Sequence, residues 1–297
     1  MPDDQRAPSA AEQESDLPVV AGYNGKEHSR DALMWAAAEA ARRDVPLLLV
    51  YAANFPGMTI GPGPGLLDPD PTALEASQEV TARGVAEARQ AQPGLRVAGT
   101  TEVTSPSEAL TEESKRAGLI VLGSRGHGRV VGALLGSVAF NVAARAECTV
   151  VVVKGEAEVP ERRIVVGTDG SAAAIAAVTF AADRAAAVSA DLEVVTTTGE
   201  HPVANVDATA LRASADLIAE SAAEGLRDTH PGLTVTTRVE DCAAERTLVE
   251  ASADADLVVV GTRGRGVFER MLLGSVSHAV IHGARCPVAV VEDFPPR

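Results

Sequence analysis

The feature that most constrains this chain is an internal repeat. Residues 117–154 lie over residues 255–292 at a constant offset of 138, with 18 identities in 38 columns and no gap. The first apolar segments of the two copies, residues 20–25 and 165–170, match at an offset of 145. The first copy therefore has seven extra residues, which we place in Asn54–Pro71 because that segment alternates Gly with Pro. The repeat predicts one folding unit written twice.

Both copies alternate short apolar segments with alanine-rich segments. In the first copy the apolar segments predict strands near residues 19–23, 47–52, 95–103, 119–122 and 150–153. Helices are predicted over Ala32–Arg43 and Thr72–Ala91, and a capping box of Ser105, Pro106 and Glu108 begins another. Alternating strands and helices give right-handed crossovers and a parallel sheet. We therefore predict two tandem Rossmann-like α/β domains, each with a doubly wound parallel sheet.

The length of 297 residues suits two domains of roughly 140 residues each. Hydrophobic residues make up 46% of the chain and aromatic residues only 3%, so Ala, Val, Leu and Ile must form the core. Such residues are typical of parallel strands that are buried on both faces. We assign residues 1–16 to a disordered N-terminal arm, 17–154 and 163–294 to the two domains, and 155–162 to a linker.

The charge and the cysteines limit the class of partner and the compartment. A formal net charge of −15 argues against nucleic acid or an anionic membrane as a partner, because both require basic surfaces. No apolar segment approaches the ~18 residues of a membrane span, and the polar N-terminus does not resemble a secretory signal. Cys148, Cys242 and Cys286 have neither metal-site spacing nor a disulfide pattern, and we expect Cys148 and Cys286 to be buried. A cytoplasmic protein is expected.

Two glycine-rich loops follow the predicted fourth strands. Residues 123–128 are Gly-Ser-Arg-Gly-His-Gly and residues 261–266 are Gly-Thr-Arg-Gly-Arg-Gly, with Gly-Ser pairs at 136–137 and 274–275. Glycine permits positive φ and close backbone approach, and a helix N-terminus attracts phosphate. Each loop alone also suits a tight strand-to-helix turn, and neither is a Walker A motif or a dinucleotide fingerprint. Their recurrence, with arginines outnumbering acids in both loops, favours nucleotide binding.

On this pattern of Gly, two residues, Gly, nine residues and Gly-Ser, the chain resembles the universal stress protein family in its tandem two-domain form. The resemblance extends from about Leu17 to Glu292. It implies five strands per domain in the order 3-2-1-4-5, and ATP bound by the glycine loops. It also implies that the fifth strands of the two domains pair back to back within this chain. A homodimer of chains stays open, and no protein partner is identified.

The resemblance places an aspartate after the first strand, near the ribose and a metal ion. Asp169 is that residue in the second copy, whereas the first copy has Asn24. The family serine that follows is Ser171 in the second copy and Lys26 in the first. An amide accepts hydrogen bonds but brings no charge to a metal. The second site is therefore the better match, and Mg²⁺ is expected to arrive with ATP, with Asp169 as its candidate protein ligand.

The remaining nucleotide contacts implied by the resemblance come from strand ends, the glycine loops and the start of the last helix of each copy. In the second copy they are Gly167, Thr168, Asp169, Thr197, Val260, Gly261, Arg263, Gly264, Gly266, Gly274, Ser275, Val276 and Ser277. In the first copy they are Gly22, Tyr23, Asn24, Ala52, Leu122, Gly123, Arg125, Gly126, Gly128, Gly136, Ser137, Val138 and Ala139. Ala52 and Thr197 are expected to meet adenine through the backbone, with Leu122 and Val260 lining the pocket.

The predicted function is that of an ATP-binding regulatory protein of the stress response, with little or no rapid catalysis and no assigned catalytic residue. Two alternatives stay open. One is a slow ATPase or nucleotidyl-transfer enzyme in which Asp169 and Mg²⁺ organise the reaction. The other is a protein-interaction scaffold that does not bind nucleotide, which the Asn24 and Lys26 substitutions favour for the first copy alone.

Other conspicuous side chains are given structural roles. His278 and His282 have the i, i+4 spacing of a metal pair, but their repeat equivalents are Phe140 and Ala144 and no third ligand is evident. We therefore predict no metal site made by protein side chains alone. Trp35 and Tyr51 are expected in the core.

Overall fold

The computed structural model describes residues 17–53, 71–124, 135–154, 162–199, 207–264 and 273–293. The elements of the first copy are β1 (Val19–Gly22), α1 (Glu27–Arg43), β2 (Leu47–Ala52), α2 (Pro71–Ala91), β3 (Val97–Glu102), α3 (Pro106–Glu113), β4 (Leu119–Gly123), α4 (Ser137–Arg145) and β5 (Thr149–Val153). A short 3-10 turn, Ser114–Arg116, follows α3. The predicted alternation of strands and helices is confirmed for this part of the chain.

The second copy repeats the same order of elements. They are β6 (Arg163–Gly167), α5 (Ala172–Val188), β7 (Asp191–Thr197), α6 (Ala208–Thr229), β8 (Val235–Glu240), α7 (Ala244–Ala251), β9 (Leu257–Gly261), α8 (Ser275–Gly283) and β10 (Val288–Val291). Three predicted segments fall largely outside the described residues: the N-terminal arm, the seven-residue insertion and the linker.

The chain divides into two compact units whose limits differ from those of the repeat. Of the described residues, unit 1 contains 17–122 and 146–148, and unit 2 contains 123–145 and the residues from 149 to 293. Helix α4 and strand β5 therefore belong to the first copy in sequence but to unit 2 in the structure. The domain limits drawn from the sequence, 17–154 and 163–294, stay predictions.

In unit 1 the strands form a parallel sheet in the order β3-β2-β1-β4. Strand β1 lies between β2 and β4, with Val19 opposite both Leu47 and Leu119. These three side chains are fully buried, as expected for central parallel strands covered on both faces. The apolar segments of the sequence therefore form the central layer of unit 1.

In unit 2 the strands are ordered β8-β7-β6-β9-β10-β5. The five strands of the second copy are parallel and follow the expected order 3-2-1-4-5. Strand β5 pairs antiparallel with β10, with Val288 opposite Val152 and Val290 opposite Val150. The pairing of fifth strands that the resemblance implies is present inside unit 2.

Helix starts agree with the sequence where a capping side chain marks them. Ser105 caps α3, with the Glu108 amide donating to its hydroxyl oxygen at 3.2 Å, and Pro106 occupies the first turn. The hydroxyl of Ser105 in turn donates to the Glu108 carboxylate at 2.9 Å. Helix α1 was predicted from Ala32 but begins at Glu27. Its first turn is polar, so the alanine-rich pattern alone does not include it.

Candidate functional site

The candidate site lies at the carboxyl ends of the strands of unit 2. Strand β6 ends at Gly167 and leads to Asp169, and β9 ends at Gly261 and leads into the second glycine loop. Both strands are parallel neighbours in the sheet, so their carboxyl ends meet at one edge. Ligands of open α/β sheets bind at this edge.

The turn after β6 fixes the position of Asp169. The Gly170 amide donates to the Thr168 hydroxyl at 3.2 Å, and the Ser171 amide donates to Asp169 Oδ1 at 2.9 Å. Gly170 has φ of 75°, a left-handed conformation that glycine adopts without steric cost. Ser171 then caps α5, accepting from the Ala174 amide at 3.3 Å. One oxygen of Asp169 is thus held by the turn.

The other oxygen of Asp169 faces the glycine loop. A Cβ added at Gly264 would lie 2.5 Å from Asp169 Oδ2, which is closer than non-bonded atoms approach. The Ser171 hydroxyl also donates to the Arg263 carbonyl oxygen at 3.4 Å. The turn after β6 and the start of the loop after β9 are therefore in direct contact.

Glycine is required here for close approach and not for unusual backbone angles. A Cβ at Gly261 would lie 2.8 Å from the backbone of Ala173, and one at Gly274 would lie 3.1 Å from the Thr262 carbonyl oxygen. Gly261, Gly264 and Gly274 are not among the described glycines with positive φ. Of the two properties of glycine considered from the sequence, close approach and not positive φ accounts for these three positions.

The N-terminus of helix α8 lies beside the carboxyl end of β9. The Gly274 amide donates to the Thr262 carbonyl oxygen at 2.8 Å, which brings the loop back to the end of β9. Gly274 is the N-cap and offers no side-chain acceptor, so the first-turn amides that follow it have no partner within the helix. Such a terminus concentrates N–H donors and the positive end of the helix dipole, which favour a phosphate.

The two serines predicted at this terminus differ in role. Ser275 is exposed, whereas Ser277 is buried and its hydroxyl donates to the carbonyl oxygens of Thr262 and Gly274 at 2.9 and 3.0 Å. Ser277 therefore stabilises the start of the helix. The Thr262 hydroxyl, which the sequence did not single out, is buried with no hydrogen-bond partner among the described residues. Its repeat equivalent is Ser124, also a hydroxyl residue.

The arginine of the second loop has a carboxylate partner that the sequence did not predict. Arg263 Nη2 lies 2.5 Å from Glu292 Oε1. Glu292 directly follows β10, whose last residue accepts a hydrogen bond from the Thr262 amide at 2.8 Å. The repeat equivalent of Glu292 is Lys154, so a comparison of the two copies would have indicated a charge difference at this position.

The other predicted residues of the second copy lie around this edge. Gly167 is packed against Leu248, whose Cδ1 would be 2.7 Å from an added Cβ. Thr168 and Val260 are buried, and Thr197 is partly exposed at the end of β7. Val276 is partly exposed in the first turn of α8. Gly266 lies outside the described residues.

The first-copy residues that belong to unit 1 form a similar turn with different chemistry. Asn24 Oδ1 accepts from the Lys26 amide at 3.1 Å and from the Ser29 hydroxyl at 2.8 Å. Gly22 is packed against Leu122, whose Cδ2 would be 2.5 Å from an added Cβ. Tyr23 and Leu122 are buried, and Ala52 is partly exposed at the end of β2.

The first-copy residues that belong to unit 2 repeat the loop hydrogen bonds of the second copy. The Ser124 amide, next to Gly123, donates to the Val153 carbonyl oxygen at 3.0 Å, and the Gly136 amide donates to that of Ser124 at 2.9 Å. At the start of α4, Ser137 is exposed, Val138 partly exposed and Ala139 buried. Arg125, Gly126 and Gly128 lie outside the described residues.

The other conspicuous side chains of the sequence differ in packing and burial. The rings of His278 and Phe140 meet edge to face with centroids 5.2 Å apart. Trp35 is buried as predicted, whereas Tyr51 is only partly buried. Cys148 and Cys286 are buried as predicted, and burial raises the pKa of the Cys286 thiol to about 12. None of the described helices is long and apolar enough to cross a membrane.

Comparison with known proteins gives the same family for both copies. The model of the universal stress protein family matches residues 17–154 and 161–292. A universal stress protein of Mycobacterium tuberculosis is 34% identical over 285 residues, which cover 93% of this chain and 97% of that protein. A second one from the same organism is 31% identical over 293 residues, covering 94% and 97%.

Among solved structures, a universal stress protein of Archaeoglobus fulgidus superimposes with a TM-score of 0.70 at 19% identity, covering 94% of this chain and 97% of that one. Single-domain universal stress proteins solved with cAMP and with dAMP each match 46% of this chain, with TM-scores of 0.37 and 0.36. The cAMP and the dAMP are ligands of those two proteins. The similarity to the Archaeoglobus fulgidus protein with a TM-score of 0.70 shows the fold.

Proposed function

Since the chain belongs to the universal stress protein family, we propose that its second copy binds an adenine nucleotide, ATP together with Mg²⁺. The observation that carries the proposal is the contact between Asp169 and Gly264, which brings a carboxylate to the glycine loop at a helix N-terminus. We propose that the phosphates lie against the loop and the first turn of α8, with adenine near Thr197.

The residues present fit this ligand. The amides at the start of α8 supply donors for phosphate oxygens, and the glycines at 264 and 274 allow Asp169 and Thr262 to pack closely against the backbone. A carboxylate beside a phosphate is unfavourable unless a cation lies between them, and Mg²⁺ binds through carboxylates and phosphate oxygens. Asp169 Oδ2 would then be the protein ligand of the metal, while Oδ1 keeps its bond to the Ser171 amide. Mg²⁺ would neutralise part of the phosphate charge.

The proposed role is regulatory. The relatives of this chain are named for the stress response, and an occupied nucleotide site would give the chain two states that a partner could distinguish. We propose the cytoplasm as its compartment, supported by a sequence whose cysteine spacing does not suggest a disulfide framework.

Isothermal titration of the full chain with ATP in the presence of Mg²⁺ tests the proposal. We expect saturable binding that is lost when Gly264 and Gly274 are both replaced by alanine, because the added methyl groups meet Asp169 Oδ2 and the Thr262 carbonyl oxygen. Gly225→Ala is the matched control, since a Cβ there meets nothing within 4 Å. Absence of heat at millimolar ATP, or unchanged affinity in the double variant, would contradict the proposal.

A further inference from the structure

The last strand of each copy is followed by a residue of opposite charge. Lys154 follows β5 and Glu292 follows β10, and the two positions are equivalent in the repeat. We propose that Glu292 is a specificity-determining residue of the second site, which sets the preference of that site for the number of phosphate charges on the nucleotide. The inference rests on the proposed function and extends it to the choice between nucleotides.

Glu292 lies close to the second glycine loop. Its neighbour Val291 accepts a hydrogen bond from the Thr262 amide, so Glu292 lies beside the start of the glycine loop. Its carboxylate contacts the Arg263 guanidinium, and its side chain is 18% exposed against 54% for Arg263. The carboxylate is thus the less hydrated partner, and its charge is screened less by water and salt than a fully exposed one.

The charges of two carboxylates surround Arg263. The Arg263 side chain is paired with Glu292, and the adjacent Gly264 contacts the carboxylate of Asp169. Two carboxylates therefore flank the single arginine in the described part of this loop. A Mg²⁺ ion at Asp169 would offset that carboxylate, whereas Glu292 cancels the positive charge that Arg263 would otherwise present to phosphate. Each further phosphate charge would then be opposed by Glu292, and Arg263 would bind phosphate only after leaving its present partner.

The fold does not require the ion pair between Arg263 and Glu292. At the equivalent position, Lys154 Nζ donates to the carbonyl oxygens of His282 and Ala284 at 3.0 and 2.8 Å, at the end of α8. The same position in the repeat therefore serves helix capping in one copy and contacts the loop arginine in the other. The carboxylate at 292 is a property of the second site and not of the architecture.

Titration of the full chain with adenosine, AMP and ATP, each with Mg²⁺, tests the inference. Glu292→Gln should tighten ATP binding roughly two- to tenfold, tighten AMP binding less and leave adenosine unchanged, and the gain should shrink as salt is raised. Glu292→Lys, which introduces the first-copy residue, should give a larger gain in the same order and serves as a second variant.

Glu193→Gln is the matched control. Glu193 pairs with Arg163 at the same N···O distance of 2.5 Å, and its side chain is about as buried as that of Glu292, but the pair lies at the amino-terminal edge of the same sheet. It should alter no affinity. Equal effects of Glu292→Gln on all three ligands, or no effect on ATP, would overturn the inference and leave the proposed function intact. A wild-type chain that binds none of the three would overturn both.

Discussion

The turns that follow β1 in unit 1 and β6 in unit 2 have the same backbone but different chemistry. In both, the side-chain oxygen of the second residue accepts from the amide two positions later: Asn24 from Lys26, and Asp169 from Ser171. The glycine that follows has φ of 75° in both turns. Asparagine and aspartate form this kind of turn equally well. The turn therefore keeps its shape when its charge is removed.

The difference between the two turns lies in what each side chain can offer a ligand. The Asn24 oxygen also accepts from the Ser29 hydroxyl, so it has two donors from its own turn. Asp169 keeps its second oxygen beside Gly264 and carries a negative charge. The two turns thus differ in charge and not in shape, and under the proposed function this charge distinguishes the two copies. Three predictions test this difference between the two turns.

Asp169→Asn should have the largest effect. It gives the second turn the residue of the first, so the bond to the Ser171 amide is kept while the charge for a metal is lost. We expect affinity for ATP with Mg²⁺ to fall by at least about 10- to 100-fold, because loss of a residue that only orients a metal ligand already has an effect of that size. The thermal midpoint should change little. Calorimetric titration with and without Mg²⁺ measures the effect, and equal loss in both conditions would show that Asp169 does not act through the metal.

Ser171→Ala should have an intermediate effect, on stability. The Ser171 hydroxyl caps α5, and loss of such a cap costs about 1 kcal/mol of unfolding free energy. Lys26 is the N-cap of α1 without a side-chain bond, so Lys26→Ala should leave stability nearly unchanged. Urea denaturation of both variants compares the two turns directly. A similar cost in both would mean that the hydroxyl of Ser171 is not what distinguishes them.

Asn24→Asp should have the smallest effect. The substituted side chain retains an oxygen for the Lys26 amide and the Ser29 hydroxyl, so the unfolding free energy should change by less than roughly 0.5 kcal/mol. Denaturant unfolding checks this. A loss well above that value would show that the first turn depends on an uncharged residue and would break the parallel between the turns.

Much of the fold follows from local sequence. Buried parallel strands such as β2 and β4 are continuous apolar segments, so their limits are predicted to within a residue. Strand β3 was predicted to begin two residues too early and to end one residue too late, because it is half exposed and has no continuous apolar segment. The start of α1 was missed because its first turn is polar, as residues that begin a helix often are.

The candidate site was predictable where it depends on spacing and not where it depends on distant partners. The glycine loop and Asp169 follow from the motif and the repeat, and the structure brings them together at Gly264. Arg263 and Glu292 are 29 residues apart, and no local pattern links them. The buried hydroxyl of Thr262 depends on how β9, β10 and α8 pack, which spacing does not give.

The most direct test of the central claim is native mass spectrometry of the full chain at ATP and Mg²⁺ concentrations where the first nucleotide binds. We expect one adenine nucleotide per chain, lost in Gly264→Ala because the methyl group meets Asp169 Oδ2, and retained in Gly126→Ala, the equivalent change in the first copy. Loss of that nucleotide in Gly126→Ala together with its retention in Gly264→Ala would contradict the assignment of the site to the second copy.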